Sequence, residues 1–119
     1  MRGASVLESL LEAQRDPHLR VFVVWEPVLA TDLSAPSTIT LRRLHDPRVV
    51  QYWDRNRLLS HVMGERDRSS VVWDYIAVYK PGQVWTDAPP QPQFRGHPVV
   101  RFIEGARQTL ETIYAEAKN

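Results

Sequence analysis

The sequence predicts an α/β fold: a three-layer sandwich with helices on both faces of a mixed four-stranded sheet, in the order α-β-α-β-α-β-β-α. Three observations predict it. Val21-Phe22-Val23-Val24-Trp25 is a near-continuous apolar run, the pattern of a central strand buried on both faces. Val49-Val50-Gln51-Tyr52-Trp53 is a second β-branched and aromatic run, separated from the first by a helical pattern. Near the C-terminus, Val99, Phe102, Ile103, Ala106, Leu110, Ile113, Tyr114 and Ala117 make one long apolar stripe at helical spacing.

The first element reads as a helix over about residues 5–16. Ser5 and Glu8 stand in capping-box spacing, Val6, Leu7, Leu10 and Leu11 share a face, and Pro17 stops it. The first strand follows and ends at Trp25. Glu26 to Ala35 is a loop, and Pro36 suits the first turn of a second helix carrying Ile39, Leu41 and Leu44. Asp46-Pro47 ends that helix before the second strand. Asp54 is positioned to cap a short third helix holding Leu58, Leu59, Val62 and Met63, with Gly64 at its end.

Val71 to Tyr79 reads as the third strand. Lys80-Pro81-Gly82-Gln83 has the proline-glycine order of a type II turn, so Val84 to Thr86 is expected to return as a hairpin strand. Three prolines between Ala88 and Gln93 predict extended loop, and Pro98 opens the last helix, weakened by Gly105 by about 1 kcal/mol relative to alanine. The 119 residues are expected to form a single domain, 1–119, with no second domain.

Composition removes several function classes. The chain has no cysteine, which excludes thiolate nucleophiles, disulfides and zinc–thiolate or iron–sulfur ligation. Net charge is +1 and the arginines are scattered, so no nucleic-acid or membrane partner is expected. Glu8 and Glu12 interrupt the first apolar stretch, which argues against a secretory leader and for a cytoplasmic protein. No phosphate-binding glycine motif occurs, and His18, His45, His61 and His97 lack metal-ligand spacing. No cofactor and no metal are expected.

The strand Val21–Trp25 with its closing tryptophan, and the stretch Tyr75-Ile76-Ala77-Val78-Tyr79-Lys80-Pro81-Gly82-Gln83-Val84, resemble the thioredoxin fold without its first edge strand. The Pro47–Asp54 and Val72–Tyr75 blocks resemble uncharacterised bacterial thioredoxin-like proteins that lack the redox cysteine pair. The resemblance covers roughly residues 18 to 118. It implies a redox-inactive domain: Val28 to Asp32 stand where redox members carry their cysteines, and no proline stands near Trp73 or Asp74 where such members carry a cis-proline.

Glu26, Thr31, Asp32, Ser34 and Asp74 are the candidate ligand-binding residues, because the loop after a central strand opens at the ligand crevice of an α/β sheet. His97, just before the last helix, is a further candidate. The competing reading makes Asp32 or Ser34 a helix cap and Glu26 an exposed carboxylate. Trp25, Trp53, Trp73 and Trp85 read first as packing at strand ends, and Pro89 to Pro92 as a chance proline-motif match. Losing the usual edge strand leaves residues 48–53 as an edge with no proline or lysine inside it, which predicts a homodimer paired there or a helix folded across it. The leading expectation is a non-enzymatic binding module; the alternative is a small-ligand or cation binder, or an enzyme, using the crevice near Glu26, Asp32 and Asp74.

Overall fold

Parallel pairing of the two apolar runs organises the N-terminal part of the chain. The computed structural model describes residues 2–26, 36–62, 74–87 and 89–117. Its contacts divide the chain into two units, Met1–Trp73 and Asp74–Asn119.

In the first unit, α1 (Arg2–Ala13), β1 (Val21–Trp25), α2 (Thr38–Leu41), β2 (Val49–Trp53) and α3 (Leu58–Val62) follow in order. Strands β1 and β2 run parallel in unbroken register, from Val21 beside Val49 to Trp25 beside Trp53. Leu10 and Leu11 of α1 and Leu44 after α2 are buried. Helix α1 begins by Arg2, so Ser5 lies within it rather than at its cap, and its carbonyl accepts the Ser9 hydroxyl. Helix α2 is a single turn capped by Ser37, whose oxygen accepts the Thr40 amide.

Two polar side chains hold these pieces. Gln51, in the middle of β2, accepts the Trp25 indole N–H at 2.8 Å and donates to the carbonyls of Leu41 and Leu44 at 2.9 and 3.2 Å. Its amide thereby ties the end of α2 to the sheet. Arg48 donates to the main-chain carbonyls of Leu11, Gln14 and Asp16 at 2.7, 2.6 and 3.0 Å, satisfying acceptors that the end of α1 leaves without helical partners. Asp46 grips the same guanidinium through both carboxylate oxygens, at 2.9 and 2.8 Å.

The second unit contains β3 (Ile76–Val78), β4 (Phe94–Gly96) and α4 (Val99–Ala117). The strands pair antiparallel, Ile76 beside Gly96 and Val78 beside Phe94, and α4 packs on both. Val78, Ala106 and Ile113 are its buried apolar residues. Close approach of helix and strand depends on two glycines. A Cβ on Gly105 would lie 2.6 Å from the Phe94 ring, and one on Gly96 would lie 2.4 Å from the Phe102 ring.

The expected four-stranded mixed sheet between helical layers is therefore overturned; the described residues form two separate two-stranded sheets, one parallel and one antiparallel. The α/β character stands. Two physical reasons account for the difference. Strand β1 is not buried on both faces, since Phe22 is 65% exposed. A five-residue apolar run carries no periodicity that distinguishes a covered face from an open one. The turn at Pro81-Gly82 does form, with Gly82 at φ 86°, but Val84 and Trp85 are exposed and unpaired by any strand. The partner of β3 comes instead from beyond the prolines, where Phe94 can seat its ring on Gly105 and the Gln93 amide reaches the Val78 carbonyl at 2.7 Å. Tertiary packing, not the local turn, selects the strand.

Residues 74 and 75 lie outside β3, which is shorter than the expected 71–79, and residues 71–73 and Gly64 lie outside the described residues. No helix among the described residues is long and apolar enough to cross a membrane.

Candidate functional site

Parallel register brings two acids side by side. Each strand of the first unit closes on tryptophan followed by a carboxylate, Trp25-Glu26 and Trp53-Asp54. Because Trp25 aligns with Trp53, the next step of the ladder sets Glu26 beside Asp54, and the Asp54 amide donates to the Trp25 carbonyl at 2.7 Å. Asp54 then caps α3, as its position in the sequence predicts. Its two carboxylate oxygens accept the amides of Leu58 and Leu59 at 3.0 and 2.9 Å.

Glu26 reaches the same helix. Its carboxylate accepts the Ser60 amide at 3.3 Å and the Ser60 hydroxyl in a short hydrogen bond. Ser60 is 1% exposed, a buried hydroxyl supplied with an acceptor by Glu26. Burial pushes the Glu26 carboxyl up to about 7; the Ser60 bonds pull against that, and the Asp54 carboxyl adds to it through a hydrogen bond and repulsion. The arrangement sets a carboxyl group of raised pKa beside a second acid and against a buried hydroxyl and amide of α3. Ser60 had no signature in the sequence. The Trp-acid repeat at the ends of two equal runs was the signal that could have paired Glu26 with Asp54.

Thr31, Asp32 and Ser34 lie outside the described residues. Asp74 and His97 belong to the second unit, and Glu26 to the first. Asp74 adopts φ 50° and accepts the Val99 amide at 3.1 Å, so its carboxylate caps α4. His97 is exposed and joined to Pro98 by a cis peptide bond. Among the described residues, no group of three or more His, Asp or Glu is placed to hold a metal ion.

A second feature lies on the outward face of the parallel pair. Phe22 and Tyr52 stack there with ring centroids 6.4 Å apart, beside the exposed Val50. Tyr52 is 51% exposed. Parallel strands ordinarily have both faces covered, so this surface departs from the usual construction. No protein-family model, no curated protein and no solved structure matches the chain.

Proposed function

We propose that this chain is a non-enzymatic binding module that pairs with a second copy of itself through β2. The observation that carries the reading is a strand neighbour on one side only: among the described residues, β2 pairs with β1 and with nothing else. An isolated two-stranded sheet is marginal, and three or more strands are ordinarily needed for stability. The ladder runs between the bonds Val21 N–H to Arg48 C=O and Asp54 N–H to Trp25 C=O. Strand alternation then turns the main-chain groups of Gln51 and Trp53 away from β1.

A two-fold axis at Gln51 would join two β2 strands antiparallel, giving a four-stranded sheet β1-β2-β2-β1. Tyr52 of each copy would then sit opposite Val50 of the other, extending the Phe22–Tyr52 stack across the junction. The absence of cysteine keeps dithiol chemistry out of the proposal. The thioredoxin resemblance carries no part of it, because the described residues form two two-stranded sheets and not the sheet that resemblance implies.

Sedimentation velocity across micromolar to near-millimolar concentration tests the pairing. The wild type is expected to pass from monomer to dimer. Val50→Lys, which places a charge on the exposed face of the strand, is expected to remain monomeric with an unchanged circular-dichroism spectrum. A wild type that stays monomeric throughout, or a Val50→Lys variant that dimerises equally well, overturns the proposal.

A further inference from the structure

The parallel strands begin at a cleft, at the end of the pair opposite Glu26 and Asp54. Arg15, Arg20, Asp46, Arg48 and Val50 are among the residues lining its volume of about 570 Å³. Three guanidinium groups meet one carboxylate there. Asp46 and Arg48 are committed to each other, at 2.9 and 2.8 Å. Arg15 is exposed and acts on Asp46 through its charge, with no hydrogen bond between them. Arg20 is anchored by Nη1, which donates to the carbonyls of Pro17 and Leu19 at 2.8 and 3.1 Å. Its Nε and Nη2 donate to nothing among the described residues. Val50 joins this cleft to the outward face of the sheet. Phe22 stands beside Val50 in the register, and Tyr52 lies two residues further along β2, about 7 Å away. All three side chains are exposed.

We propose that cleft and face together bind an acidic peptide segment, which sets a carboxylate against Arg15 and Arg20 and lays its neighbouring apolar side chains over Val50, Phe22 and Tyr52. Parallel strands ordinarily have both faces covered, and an exposed apolar patch rimmed by charge marks an interaction surface. The sign of the rim selects the partner: a guanidinium with N–H groups to spare pairs with a carboxylate by charge-assisted hydrogen bonds. Its position selects further. The cations stand at one end of the face, where a peptide carboxylate can fall. A single-stranded nucleic acid calls for cations along its whole path, following successive phosphates. The apolar part is an open strand surface, which cannot enclose most of a small ligand as small-molecule sites do. This surface is the face of β2, whereas pairing of two copies uses its edge, so either can fail without the other.

Selection from a library of short random peptides displayed on phage tests the assignment. Enriched peptides are expected to carry Asp or Glu next to aromatic or aliphatic residues. Binding of a synthetic peptide from that set, read by fluorescence anisotropy, is expected to weaken roughly tenfold or more with Arg15→Glu and with Tyr52→Ser, each with an unchanged circular-dichroism spectrum. Arg43→Glu changes the net charge as much as Arg15→Glu, but Arg43 does not line the cleft, so its affinity is expected to match the wild type. In the wild type the same peptide is expected to shift the amide resonances of Arg20, Phe22, Val50 and Tyr52, a readout that needs no variant. No enrichment over background, enriched peptides without carboxylates, or an equal loss with Arg43→Glu overturns the proposal. So does a labelled oligothymidylate that binds more tightly than the peptide and weakens with Arg15→Glu and Tyr52→Ser, which would assign the face to nucleic acid.

Discussion

Replacing Arg48 by alanine removes the fastener between α1 and the sheet. The guanidinium makes two bonds to Asp46 and three to the carbonyls of Leu11, Gln14 and Asp16. The side chains are only 10% and 14% exposed for Arg48 and Asp46, so water cannot freely replace the lost partners. Breaking a nearly buried pair by deleting one member typically costs about 3–5 kcal/mol, because the remaining charge stays desolvated. For a unit of this size that corresponds to a fall in Tm of roughly 12 °C or more. Urea unfolding of the full chain, followed by circular dichroism, measures the change as a lower midpoint at constant slope. Arg48→Lys should recover only part of the loss, since an ammonium cannot span a carboxylate and three carbonyls. The pair Arg48→Met with Asp46→Asn should lose less than Arg48→Ala alone, because no unpaired carboxylate remains. A cost for Arg48→Ala below about 1 kcal/mol, the scale of an exposed ion pair, would refute this account.

Other outcomes follow from the same geometry. Hydrogen bonds from Arg48 hold the Asp46 carboxyl down, from 3.8 to about 2. Its stabilising contribution is therefore present above 3.8 and is lost as pH falls through about 2; Tm measured down that acid limb should drop more steeply for wild type than for Arg48→Ala, and parallel curves would contradict it. Gly105→Ala should destabilise α4 against β4. The new Cβ would lie 2.6 Å from the Phe94 ring, and overpacking of about 1–3 kcal/mol exceeds a propensity gain of about 1 kcal/mol. A higher Tm for Gly105→Ala would show the ring yields freely, whereas recovery in a Phe94→Leu background supports the clash. Asp74→Ala removes the α4 cap and puts alanine at φ 50°, for a loss of about 2 kcal/mol, while Asp74→Asn should be close to neutral in the same thermal melt.

Local chemistry made several features legible before any coordinates. The five-residue runs ending at Trp25 and Trp53 are both strands, Asp54 caps α3, and the apolar stripe from Val99 forms a helix of 19 residues. These depend on patterns within a few residues, which a chain carries wherever it is placed. Gly105 looked like a defect in that helix. It is a contact, and only the position of Phe94 reveals it.

Long-range partners decided the rest. Strand β3 pairs with Phe94–Gly96 rather than with the residues just beyond its turn, because aromatic rings find glycine surfaces across the helix–strand contact. The same holds for the polar fasteners: Arg48 reads as one scattered arginine, Gln51 as an interruption in an apolar strand, and Ser60 as an ordinary helix residue. Each acquires its role from a group 26 to 37 residues away or, for Gln51, also from the end of α2. By itself the sequence determined that the runs ending at Trp25 and Trp53 are strands, that the stripe from Val99 is helical, and that thiol chemistry is absent. Tertiary structure alone decided which strands pair, which face stays open and which carboxyl meets Ser60, because each depends on groups brought together only by folding.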